Sequence, residues 1–361
     1  MTEPDGQLEA LRAQIDALDE RIVRLLNERA ALVRQIGQRK AVAGVPTYRP
    51  DREREVLDRV KAHNRGPLPE RTLLAIYREL MSGSFALETP PRLAYLGPPG
   101  SFSHMAATRK FGSTVEYEPL QHIQALFDEV EREHVDLAVV PFENTLGGGV
   151  VDSLDAFACR DVRVCAEIHL AVHHHLLGNL QIEDIRCVYS KPEVFLQCQR
   201  FLTERGLFDK TVGVASSSAA VQKAAQEPGA AAIGSELAAE LFGLSKICDR
   251  IEDDPGNVTR FLVVGHASAE PTGRDKTSMV FRTADRPGAL VDVLDVFRQA
   301  NVNMGFIESR PSKLRKWEYV FFVDIEGHAS EPRIADVIAK TRTFCNELRV
   351  LGSFPRAEEI L

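Results

Sequence analysis

Six cysteines are scattered through these 361 residues, and no CxxC pair occurs among them. Their spacing lays out neither a zinc site nor a disulfide framework, so they read as reduced thiols. No apolar run approaches the length of a membrane span, and the N-terminus lacks the apolar stretch of a signal peptide. The expectation is a cytoplasmic chain that meets no membrane. Positive charge is not in excess either: the formal net charge is −8, which argues against nucleic acid as a partner. There is no full P-loop, no dinucleotide fingerprint and no metal-ligand spacing, so neither cofactor nor metal is expected. His173-His174-His175 is a tempting cluster. Consecutive strand residues point to alternate faces, however, which speaks against one shared metal.

Two stretches rich in Gly, Pro and small residues, 83–92 and 265–276, read as linkers. They divide the chain into 1–90, 91–267 and 275–361. The first 90 residues hold 15 Lys and Arg against 14 Asp and Glu, so the remainder carries about −9. Cations are therefore locally available in the first part.

In that part apolar residues recur in heptads. Leu11, Leu18, Leu25 and Leu32 make one line, and Leu8, Ile15, Ile22 and Ile36 make another, interrupted by Arg29. A helix of this length needs a partner along its side, and a second copy is the expected one. A guanidinium in an apolar seam is costly unless an anion meets it. Lys40 follows on about the same face. Pro50 opens a second helix bearing Arg52 and Glu53, and a third carries Ser84 and Glu88 one turn apart. With Leu11-Arg12, Ile15-Asp16 and Asn27-Glu28-Arg29, these elements resemble the all-helical chorismate mutase domain over 8–88. The resemblance implies a pericyclic rearrangement that needs only a held conformer and stabilised charge on the breaking ether oxygen. It implies Arg29 and Arg52 on the substrate carboxylates, with Arg12 reaching in from the partner. Lys40 and Glu88 would meet the ether oxygen beside Ser84, and Glu53 the ring hydroxyl. Arg49 stands where some relatives carry an acidic residue, and Glu88 where some carry Gln.

From Arg92 the pattern changes to short apolar runs followed by helical stretches, as in α/β proteins. Five such runs end at Ser, Thr or Asn where a helix is expected to start, which would line a cleft with hydroxyls and positive helix ends. Thr259-Arg260, at the mouth of an apolar strand, is by itself an ordinary strand start. Together, Gly97-Pro98-Pro99-Gly100-Ser101-Phe102-Ser103-His104, Pro141-Phe142-Glu143-Asn144-Thr145, Ser216-Ser217-Ser218-Ala219-Ala220, Gly234-Ser235-Glu236-Leu237 and Asn257-Val258-Thr259-Arg260-Phe261 resemble prephenate dehydratase. That resemblance implies two α/β lobes with prephenate between them and Thr259 as proton donor. Arg260, Ser101, Ser103, Glu143, Asn144, Thr145 and Ser216 to Ser218 (Ser216, Ser217, Ser218) would hold or orient its carboxylates.

Residues 277–353 read βαββαβ, an α+β ferredoxin-like pattern. Gly288-Ala289-Leu290 and Glu308-Ser309-Arg310-Pro311 resemble the phenylalanine-binding ACT domain. Phenylalanine is then the expected effector and a homodimer, formed through the N-terminal helices and this domain, the expected assembly. Removing everything beyond about residue 270 should leave the dehydratase working but insensitive to phenylalanine. The chain as a whole resembles the bifunctional enzymes that take chorismate through prephenate to phenylpyruvate. The alternatives are an arogenate-preferring dehydratase and a non-catalytic amino-acid-responsive regulator.

Overall fold

The computed structural model describes residues 3–312 and 318–361. Three helices come first: α1 (Glu3–Ala43), α2 (Pro50–His63) and α3 (Glu70–Leu87). Proline suits the first turn of α2, because its fixed φ is already helical and the missing N–H would have had no partner there. The heptad leucines of α1 stay open among the described residues: Leu11, Leu18, Leu25 and Leu32 are 51–60% exposed. Tyr48, between α1 and α2, is instead buried and joins two parts of the chain. Its ring lies edge-on to Phe85 of α3 at 6.2 Å and to Phe111 at 4.9 Å.

The middle part has two lobes. The larger contains β1 (Arg92–Leu96), α4 (Phe102–Phe111), β2 (Glu116–Leu120), α5 (Ile123–Glu131), β3 (Leu137–Asn144), β4 (Gly148–Gly149), α6 (Val151–Cys159) and β5 (Arg163–Ala171). The smaller is built from β6 (His175–Leu177), β7 (Cys187–Ser190), α7 (Pro192–Gln197), α8 (Gln199–Glu204), β8 (Thr211–Gly213), α9 (Ser217–Ala224), β9 (Ala230–Gly234), α10 (Glu236–Phe242) and β10 (Lys246–Cys248). The chain then returns through β11 (Val258–Gly265), which inserts between β3 and β5, so that the large sheet runs β2-β1-β3-β11-β5.

Three of the five expected junctions have a serine N-cap: Ser101 on α4, Ser216 on α9 and Ser235 on α10. The other two differ. Strand β3 continues through Asn144 because Glu143 and Asn144 pair with β4 as a hairpin, and α6 starts only behind Val150. Helix α7 starts behind Lys191, where Pro192 sets the first turn without a hydroxyl.

The last part comprises β12 (Asp275–Thr283), α11 (Ala289–Gln299), β13 (Met304–Pro311), β14 (Tyr319–Glu326), α12 (Pro332–Thr343) and β15 (Cys345–Pro355). Trp317, expected at the start of β14, lies outside the described residues. The sheet order is β13-β14-β12-β15, with Met279, Phe281 and Val323 packed on α11 and α12. The opposite face carries Val280, Phe306, Phe322 and Phe354 into the same core as Phe127, Phe142 and Phe157 of the large lobe. At Gly352 the two parts approach so closely that a β-carbon would fall 2.1 Å from the Val164 carbonyl oxygen. The sensor expected as a detachable module therefore shares a hydrophobic core with the domain before it.

The tail beyond β15 ties all three parts together. Leu361 exchanges backbone hydrogen bonds with β5 (its N–H to the His169 carbonyl at 2.8 Å, its carbonyl from the Ala171 N–H at 2.9 Å). Glu358 pairs with Arg54 and Arg274, and Glu359 with Arg78 of α3. Among the described residues no helix is long and apolar enough to cross a membrane.

Candidate active sites

Thr259, the second residue of β11, lies opposite Asn144 of β3 and Leu170 of β5. The Asn144 amide is fully committed. Its nitrogen donates to Thr259 Oγ1 at 2.8 Å and to Asn257 Oδ1 at 2.7 Å. Its oxygen accepts from the Leu146 and Gly147 N–H groups at 2.9 and 3.1 Å. With two backbone donors on the oxygen, the nitrogen can only face Asn257 and Thr259. Thr259 therefore receives a hydrogen bond and keeps its own proton for another acceptor. Asn257, buried at the end of this hydrogen-bond chain, stood in the Asn257-to-Phe261 motif but was given no role of its own from the sequence. Its signal was spacing: two residues before Thr259 in an extended segment, it shares that residue's face.

The serines are used differently from expectation. Ser101 Oγ donates to the Leu96 carbonyl at 2.8 Å while accepting the His104 N–H. Ser218 donates to the Pro99 carbonyl and Ser235 to the Gly100 carbonyl, so both small-lobe hydroxyls clasp the 97–101 loop of the large lobe. Ser216 caps α9, Ser217 is half-buried in its first turn, and Ser103 is buried in α4. Thr145 Oγ1 accepts the Val258 N–H at 3.0 Å and donates to the Gly256 carbonyl at 3.4 Å. These groups shape the loops around Thr259 by holding backbone. The same loop is braced by His104, whose ring stacks on Tyr95 at 4.4 Å and accepts the Gly100 N–H on Nδ1. Burial lowers the pKa of this histidine, which favours the neutral ring that can accept.

Arg260 corrects its expectation most clearly. Alternation along β11 turns it to the sheet face opposite Thr259. There it is only 6% exposed, with Nε donating to Glu167 Oε2 at 2.8 Å and Nη2 2.6 Å from Asp324 Oδ2. Glu143 stands on the same face, 3.7 Å from Arg260 Nη1. Lys276 of β12 also reaches Glu167, at 2.9 Å. Burial alone would raise the Glu167 pKa. His169, Arg260 and Lys276 outweigh it and hold the carboxyl well below the usual range. Arg260 therefore faces protein carboxylates and not the Thr259 side, where a dicarboxylate was expected to meet it.

In the helical part Arg29 Nη1 donates to Ser84 Oγ at 2.8 Å, and Lys40 Nζ lies 2.9 Å from Glu88 Oε2. Four expected groups thus meet in two pairs between α1 and the end of α3, Arg29 with Ser84 and Lys40 with Glu88. Gly37 makes room for them: a β-carbon there would sit 2.7 Å from Glu88 Cγ. Arg12 is exposed, and Arg52 is exposed beside Glu55. Glu53 departs from expectation. It accepts from the Tyr48 hydroxyl at 3.1 Å and pairs with Lys110 of α4 at 2.8 Å, so its carboxylate is turned to the neighbouring domain.

Among the described residues, the two motifs of the last part border different cavities. Gly288, the N-cap of α11 with φ 81°, borders a cavity of about 260 Å³ with Ala289, Leu290, Tyr319 and Phe321. On β13, Glu308 packs beside Gly149 and Arg310 lies 3.7 Å from Asp155, both facing the large lobe. Ser309 and Pro311 alternate with them along the strand.

Comparison with known proteins covers most of the chain. Residues 11–89 match the chorismate mutase type II family, 93–269 prephenate dehydratase and 277–343 the ACT domain. The bifunctional chorismate mutase/prephenate dehydratase of Stutzerimonas stutzeri is 40% identical over 99% of this chain and 100% of its own length. That of Aquifex aeolicus is also 40% identical, over 97% and 98%. Among solved structures, the prephenate dehydratase of Arthrobacter aurescens in complex with L-Phe superposes with TM-score 0.68 at 32% identity, covering 74% of this chain and 90% of that one. A chain described as GqqA, a quorum-quenching acylase, has TM-score 0.69 at 27% identity over 74% of this chain and 98% of its own.

Proposed function

This chain belongs to the bifunctional chorismate mutase/prephenate dehydratases, and from that membership we propose how its residues divide the work. It rearranges chorismate to prephenate and converts prephenate to phenylpyruvate, with an ACT domain suited to feedback by phenylalanine. The hydroxyl of prephenate leaves poorly at neutral pH and needs a proton as its C–O bond breaks. Thr259 supplies it. The Asn144 N–H on Thr259 Oγ1 stabilises that oxygen as the proton departs, and this hydrogen bond carries the assignment. Carbon dioxide leaves as the ring becomes aromatic, so its electrons go into the ring and no cofactor sink is required. The 97–101 loop and the start of α9 orient the substrate.

In the mutase site Arg29 and Arg52 take the substrate carboxylates with Arg12 of a second copy, and Lys40 and Glu88 meet the ether oxygen. Glu53, paired with Lys110, is left out of this assignment. The exposed leucine line of α1 is covered by that second copy, and the ACT domain supplies a further contact of the homodimer. Phenylalanine occupies the cavity beside Gly288. The enzyme works in the cytoplasm. Purified protein mixed with chorismate should yield phenylpyruvate, and phenylalanine should suppress the yield. Accumulation of prephenate without phenylpyruvate would sink the dehydratase assignment.

A further inference from the structure

One strand joins the effector cavity to the catalytic strand. Tyr319 and Phe321 of β14 line the cavity beside Gly288. Three residues after Phe321, about 10 Å along an extended strand, comes Asp324. Its side chain points the other way, into the interface with the large lobe, where it is 2% exposed. There it is held by Ser278 and faces Arg260 Nη2 at 2.6 Å. Arg260 is the covalent neighbour of Thr259. The Arg260–Asp324 contact is a buried ion pair between the large lobe and β14, so a shift of β14 alters the surroundings of Arg260 directly. On its other side Arg260 is anchored to Glu167 by a well-formed hydrogen bond at 2.8 Å, and Lys276 shares that carboxylate. The cluster thus spans the domain boundary, with Arg260 held by Glu167 of the large lobe on one side and facing Asp324 of the effector domain on the other.

Building on the assignment of phenylalanine as effector, we propose that Asp324 is a positioning residue that acts through Arg260 and carries the effector's signal to Thr259. A ligand beside Phe321 that favours one placement of β14 moves Asp324, and Arg260 passes the change to the strand end where Thr259 meets Asn144. The coupling requires the effector to bind the two placements unequally. Without Asp324, Arg260 still has Glu167, so the uninhibited reaction survives.

The test uses the full chain with the Asp324→Asn substitution, which preserves size and the contact with Ser278. Dehydratase kcat and KM without phenylalanine should stay within about threefold of wild type, and so should the Kd for phenylalanine by calorimetry. The phenylalanine concentration for half-inhibition should rise at least about tenfold, and Asp324→Glu should restore part of the sensitivity. Binding with unaltered half-inhibition in Asp324→Asn would overturn the coupling alone. Wild-type protein that fails to bind phenylalanine would overturn the effector assignment and the coupling with it. Hydrogen exchange of wild-type 258–262 with and without phenylalanine gives a second reading that needs no variant. Unchanged exchange there would also overturn the proposal.

Discussion

Lys40 Nζ and Glu88 Oε2 form an ion pair 2.9 Å apart at the junction of α1 and α3. The breaking ether oxygen of chorismate is an acceptor, and an ionised Glu88 has no hydrogen to offer it. A glutamine at this position carries an amide N–H at any pH, so Glu88→Gln should raise mutase kcat/KM. Dehydratase kcat/KM should stay unchanged. Assaying both activities in both proteins decides it. Unchanged mutase activity in Glu88→Gln would show that residue 88 does not meet the ether oxygen.

Gly37 offers a test in which two effects oppose each other. In a helix interior Ala is favoured over Gly by about 1 kcal/mol, so Gly37→Ala should help α1. The new methyl, however, would meet Glu88 Cγ at 2.7 Å and Glu88 Cα at 3.1 Å. Mutase kcat/KM should drop while thermal stability changes little and the dehydratase stays constant. Unimpaired mutase activity would mean that Glu88 can shift without consequence.

Thr259→Ala should lower dehydratase kcat by about 10²-fold or more, the range expected for loss of a positioned proton donor, with the mutase intact. Asn257→Ala should act more mildly on the same reaction. Losing the partner of one Asn144 N–H is worth about a tenfold fall in kcat, and KM should move little because Asn257 is buried. Equal effects on both domains' activities would indicate general unfolding instead.

The Glu167 carboxyl, held below its usual range, links folding to pH. A carboxyl with a depressed folded-state pKa stabilises the protein above its unfolded value, and that stability is lost as pH falls through the folded one. The melting temperature should decline from about pH 5 downward. Glu167→Gln should lower it at neutral pH, leaving Arg260 and Lys276 short of an anion, while making the acid decline shallower. An unchanged acid slope would show that the cluster does not contribute to it.

What could be read from the chain alone was whatever is local. Heptads gave the length of α1 and its need for a partner, and alternation gave the βαββαβ order. Thr259 and Asn144 stood in recognisable motifs, as did Lys40 and Glu88. Arg260 was misplaced because its anchor, Glu167, is 93 residues away and its other partner belongs to another domain. Alternation could have warned of it, since Arg260 cannot share a face with Thr259. Glu53 was misplaced for a similar reason: its pairing with Lys110 exists only once the helical part docks on α4. The serines were legible as caps, but not the backbone carbonyls they hold across the lobes.

Val280, Phe306, Phe322 and Phe354 sit in a core that also contains Phe127, Phe142 and Phe157. That sheet face is inherited by two domains at once, and neither can drift without the other. An effector domain grafted from a relative would need compatible side chains at those four positions and a glycine at 352, or the graft would not seat. Cutting the chain near residue 270 turns the same face inside out. What was interior becomes an apolar surface, and the shortened dehydratase is expected to self-associate and elute larger than its mass on gel filtration.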